Sequence, residues 1–290
     1  MKAIEERACA KLNLSLDVLG QLPGGYHEMK TVMQTAGLYD TVRIRLLDAG
    51  EITVRSNFGF LPRDERNIAW KAAAAFFAAA GLSGAGAEIV LQKHIPVGAG
   101  LGGGSADAAA VLRGLNRLAG GPLDWAQLEA LGATLGSDVP FCLRGGARLG
   151  LGRGELLESA PPMPDCGIVI CKPRFSIRTP DLFRRIDSRR SRIHPDTEGL
   201  LRAMEAGDTE GMARRMYNVF EDVLPRSCSE IAVIKSALLD AGALGAVMSG
   251  TGSAVFGVFP DPGAAQNACA ALQKSYRECF AVTPVREVPE

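Results

Sequence analysis

A chain of 290 residues, 47% apolar and 22% charged, can bury one large core or two ordinary ones, since domains run about 100–200 residues. Its 32 lysines and arginines balance its 32 aspartates and glutamates, so no net field recruits nucleic acid or a membrane surface, and a small-molecule partner is expected. Seven scattered cysteines without CxxC or metal-ligand spacing predict buried, reduced thiols in a cytoplasmic protein; Glu5, Glu6 and Arg7 stand where an export signal would be apolar, and the apolar block 69–82 falls short of the about 20 residues that cross a bilayer.

In chain order, Leu12, Leu14, Leu16 and Val18 alternate with Lys11, Asn13, Ser15 and Asp17, which predicts a strand with one polar face over residues 8–19. A Pro23-Gly-Gly25 turn follows, then strands over 41–47 and 51–55 read as an antiparallel meander, and a first helix over 67–80. A strand over 88–93 leads into a glycine-rich loop from Pro96 to Gly104 and a helix over 106–118 with a small-residue first turn. The next helix opens at Asp124 with a capping box to Gln127 and stops at Gly136, with Asp138 just beyond.

Pro161, Pro162 and Pro164 lie between an acidic turn and the apolar strand 167–171, which places a domain boundary near residue 160: an N-terminal domain over 1–160 and a C-terminal one over 161–290. The second half reads as strand, helices near 196–206, 208–221 and 227–241, strand, a glycine loop at 248–253, strand 254–259, helix 262–275 and a last strand. Mixed α+β packing follows.

The loop Pro96-Val-Gly-Ala-Gly-Leu-Gly-Gly-Gly-Ser-Ala106 carries the strongest chemical signal. Glycines let backbone N–H groups close around an anion at a helix N-terminus that carries roughly half a positive charge, and phosphate is the natural guest. Gly98, Gly100 and Gly103 formally satisfy a dinucleotide GxGxxG, but no ribose-binding acid on a second strand follows; a Walker A loop would need a Gly-Lys-Ser/Thr that is absent. Lys11 and Asn13 point the same way by period-two spacing, although a lysine on a solvated strand face would look alike. Asp138 after Ser137 reads first as a helix cap when taken alone, and Met248-Ser-Gly-Thr-Gly-Ser253 alone could be a hairpin loop.

Taken in order, Ala10-Lys-Leu-Asn13, Pro96-Val-Gly-Ala-Gly-Leu-Gly-Gly-Gly-Ser105 and Ser249-Gly-Thr-Gly252 resemble the three signature motifs of the GHMP kinases over nearly the whole chain. Gly25-Tyr-His27, Gly136-Ser-Asp-Val-Pro140 and Gly150-Leu-Gly-Arg-Gly-Glu155 are similar to the branch whose acceptor is a cytidine diphosphate-linked methylerythritol. The resemblance implies a two-domain fold, an N-terminal ribosomal-protein-like α/β domain and a C-terminal ferredoxin-like domain with the active site in the cleft. It implies ATP and Mg²⁺ as cofactors. By motif position, Pro96, Val97, Gly98, Ala99, Gly100, Leu101, Gly102, Gly103, Gly104, Ser105 and Ala106 would cradle the ATP phosphates. Asp138 would be the catalytic base with Lys11 as its partner, Asn13 would help hold the substrate, Tyr26 and His27 would meet the cytosine, and Phe183 would stack on its other face.

Two departures stand out: Ala99 where glycine is common, and Gln21-Leu-Pro-Gly24 in place of a polar approach to Tyr26. The rival expectations are a kinase of the homoserine or mevalonate type, which needs no cytidine site, and a catalytically silent ATP-binding sensor. A monomer and a dimer would read alike.

Overall fold

The computed structural model describes residues 2–189 and 193–287. Two long strands, β1 (Ala3–Gln21) and β2 (His27–Leu47), pair antiparallel and form the spine of a seven-stranded sheet. They are followed by β3 (Ile52–Ser56), α1 (Ile68–Ala79), β4 (Gly86–Gln92), α2 (Gly103–Leu118), α3 (Trp125–Leu135), α4 (Val139–Arg144), β5 (Ala147–Leu151) and β6 (Leu156–Ser159). The second half holds β7 (Gly167–Lys172), α5 (Thr179–Asp187), α6 (Thr197–Glu205), α7 (Thr209–Arg214), β8 (Tyr217–Asn218), α8 (Glu230–Asp240), β9 (Gly245–Met248), β10 (Val255–Phe259), α9 (Pro262–Leu272) and β11 (Glu278–Val282).

The first sheet runs β3-β4-β2-β1-β8, with β5 on the early part of β2 and β6 beyond it. The second is an antiparallel β11-β7-β10-β9. Helices α1 and α2 cover one face of the first sheet, where Phe76, Ile89, Val111 and Leu112 pack with a run of alanines in α2 that lets the helix lie close to the strands. The opposite face, through Leu12, Leu14 and Val32, packs on Ile168, Ile170 and Phe256 of the second sheet, so the two halves share a core. After β11 the chain returns to β2, Gly37 N–H donating to the Thr283 carbonyl at 2.9 Å and Val285 N–H to the Thr35 carbonyl at 2.9 Å.

Three expectations are corrected. Strand β3 does not continue a meander from β2: it pairs parallel with β4, because α1 makes the crossover and returns the chain beside it. Strand β2 begins at His27, fourteen residues before the expected strand at Thr41 (41 − 27 = 14), since its early part is covered by β5 as well as β1 and keeps no clean apolar alternation. The helix read at 208–221 stops at Arg214, after which β8 adds to β1 in parallel and a 3-10 turn takes over Val219–Val223. The capping box at Asp124 and Gln127 is present in both directions, at 2.8 and 2.9 Å.

Candidate active site

The polar side of β1 is buried rather than solvated: Lys11, Asn13, Ser15 and Asp17 are each less than 5% exposed. Burying an ammonium group is costly unless partners surround it. Lys11 Nζ donates to Asn13 Oδ1 at 2.6 Å and lies 3.6 Å from Asp138 Oδ2. Asn13 is engaged at its other end too, Nδ2 donating to Thr31 Oγ1 at 2.8 Å. Asn13 thereby aims Lys11. The lysine side chain is 6% exposed and the aspartate 32%, so Asp138 is the more open member of the pair. Asp138 makes no side-chain cap to α4, which removes the capping explanation for it.

The glycine loop crosses directly over this pair. Lys11 N–H donates to the Leu101 carbonyl at 3.0 Å, and a Cβ on Gly102 would come within 2.8 Å of Lys11 Cγ. Gly102 also turns left-handed, φ 69°, to start α2, a conformation that costs L-residues energy and glycine little. The first turn of α2 therefore presents its unpaired N–H groups beside the lysine. Ala99 keeps negative φ, is buried, and accepts a hydrogen bond from Ala254 N–H at 3.0 Å, so the alanine fits the loop without strain.

The second glycine loop closes the same corner. Ser249 Oγ donates to the Gly100 carbonyl at 3.0 Å and accepts from Asn13 N–H at 3.3 Å. Asn218 Nδ2 donates to the carbonyls of Met248 and Gly250, both at 2.7 Å, and fixes that loop from behind. All three motifs thus meet around Lys11.

A cavity of about 850 Å³ opens from this point, its wall including Lys11, Asp138, Tyr26, His27, Arg153 and Phe183. A smaller one of about 400 Å³ lies on the other side of the loop, against Pro62, Asn67, Ile68 and Val97, and the two share Gly98, Gly100 and Gly102. Every residue singled out from the sequence for catalysis or acceptor binding lines the larger cavity, Asn13 included although its amide is already engaged at both ends. Phe183 stacks on His27 with ring centroids 4.4 Å apart, and its own ring is met edge-on by Phe220 at 5.0 Å. Tyr26 is exposed, and the Arg153 guanidinium sits 4.8 Å over its ring.

Beneath the loop lies a cluster the sequence did not reveal. Lys93, at the end of β4, pairs with Asp40 of β2 and with Asp107 of α2, the latter at 2.5 Å, and also reaches the Gly103 carbonyl at 3.3 Å. Asp40 Oδ1 accepts from Ile95 N–H at 2.8 Å. Burial pushes the Asp107 carboxyl up to about 7 against the pull of Lys93, and Lys93 itself is held high because the two carboxylates outweigh its burial. Arg153 was likewise missed as a cavity residue. Its position in Gly-Arg-Gly between β5 and β6 was the available signal.

Two family descriptions match this chain: GHMP kinases N terminal domain over residues 67–146, and GHMP kinases C terminal over 200–278. With the glycine loop of the first half and the closing loop of the second around one lysine, the fold and site define a GHMP kinase. A 4-diphosphocytidyl-2-C-methyl-D-erythritol kinase of Lachnospira eligens is 42% identical over 261 residues, 90% of each chain. A crystal structure of 4-(cytidine 5'-diphospho)-2C-methyl-D-erythritol kinase superposes with a TM-score of 0.83 at 34% identity, over 97% of this chain and 99% of that one. A homoserine kinase from Cytophaga hutchinsonii shares the fold, with a TM-score of 0.77 at 23% identity over 99% and 96% of the two chains. The chain belongs to the 4-diphosphocytidyl-2-C-methyl-D-erythritol kinase family, and as a GHMP kinase it uses ATP.

Proposed function

We infer that this chain transfers the γ-phosphoryl group of ATP to the 2-hydroxyl of 4-diphosphocytidyl-2-C-methyl-D-erythritol, giving the 2-phosphate and ADP in the non-mevalonate isoprenoid pathway. The observation that carries this reading is the meeting of the Lys11–Asp138 pair with the N-terminus of α2 on the wall of a cavity that also holds Tyr26, His27 and Phe183. An alcohol seated against Asp138 faces the phosphate-binding loop, and the aromatic end lies where a pyrimidine base would be gripped.

Phosphoryl transfer runs through a loose transition state, so alignment and charge neutralisation dominate. Residues 96–106 cradle the nucleotide phosphates, with free N–H groups of the glycine loop and the first turn of α2 facing them, and the smaller cavity at Pro62, Asn67 and Val97 takes the adenosine end. Asp138 orients the acceptor hydroxyl and takes its proton as the new P–O bond forms, while ADP carries away the electron pair of the broken one. Lys11, 3.6 Å from the Asp138 carboxylate, neutralises charge on the acceptor oxygen. Asn13 holds Lys11 in place.

Among the described residues no group of three His, Cys, Asp or Glu side chains forms a cation cage. The Ser105 hydroxyl and the Asp138 carboxylate are the oxygen ligands that would hold a Mg²⁺ ion brought in with the nucleotide. When bound, it supplies charge neutralisation at the phosphates. The division of labour assumes the domain boundary near residue 160, supported by the change of sheet between β6 and β7. A cytoplasmic setting is supported by seven free, buried cysteines, and no helix among the described residues is long and apolar enough to cross a membrane.

The test is ATP-dependent phosphorylation of 4-diphosphocytidyl-2-C-methyl-D-erythritol beside homoserine and mevalonate, with the product located by phosphorus NMR. Transfer to the 2-hydroxyl of the cytidyl acceptor alone is expected. Transfer to either other alcohol would overturn the acceptor assignment.

A further inference from the structure

The His27 ring is held on three sides. Its backbone is fixed at the start of β2, opposite Gln21 of β1. One ring face is covered by Phe183, and its Nε2 lies 2.8 Å from Asp187 Oδ1. Both partners come from one helix: Phe183 and Asp187 are four residues apart on α5, the spacing that places two side chains on one face. The helix is itself seated by Leu182 and Ile186, which are buried in the second half's core.

An ionised carboxylate only accepts hydrogen bonds, so the ring nitrogen facing Asp187 must carry the proton. In the neutral imidazole the other nitrogen, Nδ1, then carries a lone pair. Among the described residues Nδ1 has no hydrogen-bond partner, and His27 lines the acceptor cavity with its side chain 10% exposed. A half-buried acceptor on a locked ring, open to the cavity, selects for a donor. Among pyrimidines, cytosine presents an exocyclic amino group where uracil presents a carbonyl oxygen. Two acceptors facing each other in a partly dry site cost far more than one weak hydrogen bond gains.

We propose that Asp187 is a specificity-determining positioning residue: by fixing His27 as the Nε2–H tautomer it makes the site accept a cytidyl and reject a uridyl acceptor. This rests on the cytidine reading of the cavity given above. Asp187 does not touch the reacting atoms, and its effect passes through His27. An asparagine at 187 has the same reach but offers either a donor or an acceptor, so the tautomer is released.

The experiment compares kcat/KM for the diphosphocytidyl acceptor and its diphosphouridyl analogue in the wild type, Asp187→Asn and Asp187→Glu. The expected result is a wild-type preference for cytidine that falls at least about tenfold in Asp187→Asn through the acceptor KM, with KM for ATP within about twofold, and that Asp187→Glu largely retains. A preference kept intact in Asp187→Asn overturns the inference and leaves the cytidine reading standing. A wild type with no preference overturns both. Nitrogen-15 NMR of histidine-labelled protein gives a readout independent of turnover, because the chain has 3 histidines and His27→Gln identifies one of them. At pH 8 His27 should show a protonated Nε2 and a bare Nδ1; an Nδ1–H tautomer or a doubly protonated ring contradicts the proposal.

Discussion

The hydroxyl of Ser249 donates to the backbone carbonyl of Gly100 at 3.0 Å, and this contact joins the glycine loop of one half to that of the other. It requires bare backbone on both sides. Gly100 has φ 77°, and a Cβ there would run into the carbonyl oxygen of Ser249. Gly100→Ala therefore combines a left-handed strain with a backbone clash and is expected to cost about 2–4 kcal/mol of stability and to weaken ATP binding. Chemical denaturation and nucleotide titration check both; a variant as stable as the wild type with undiminished ATP affinity would show that the two loops do not depend on each other.

The aromatic end should act on the acceptor and spare the nucleotide. Phe183 lies between His27 and Phe220, so Phe183→Ala removes a stacking face and loosens His27 at once. Its KM for the cytidyl acceptor is expected to rise about tenfold or more, given roughly 1–3 kcal/mol for one base–aromatic stack, with KM for ATP little changed. Tyr26→Ala should behave in the same way. Equal rises in both KM values would point instead to a general loss of packing.

Asp107 predicts a pH dependence with a definite sign. Its carboxyl is raised in the folded protein from 3.8 to about 7, chiefly by burial, with Lys93 opposing and Asp40 adding to the rise. The folded state thus binds this proton more tightly than the unfolded chain, and the stability it contributes is full below about 4 and lost as pH rises through about 7. Asp107→Asn does not titrate, so relative to the wild type it should gain roughly 1–3 kcal/mol between pH 5 and pH 8. Denaturation curves at several pH values read this directly. A stability difference that stays constant across that range would mean Asp107 is ionised throughout.

The parts legible in the sequence were those in which one short segment states its own conformation. Glycine spacing announced the loop over 98–104, the capping box announced α3, and period two placed Lys11 beside Asn13. What the residues alone left open was company: Asp138 read as a cap rather than a base until the fold put it 3.6 Å from a buried lysine. The Lys93–Asp40–Asp107 cluster was invisible because its members come from the residue just after β4, from β2 and from α2, and none sits in an unusual local pattern. The early part of β2 was missed for a related reason. Its polar residues Thr31, Gln34 and Thr35 are buried by neighbours that only the sheet supplies, which erases the alternation that would have marked a strand.

The most direct test of the account is Asp138→Asn, assayed for turnover with the cytidyl acceptor and, separately, for equilibrium ATP binding. The asparagine keeps the shape of the site next to Lys11 but cannot take the hydroxyl proton. The expected result is a kcat lower by about two to four decades with ATP affinity within about twofold. Turnover at the wild-type rate would contradict the claim that phosphoryl transfer takes place where Asp138, Lys11 and the glycine loop meet.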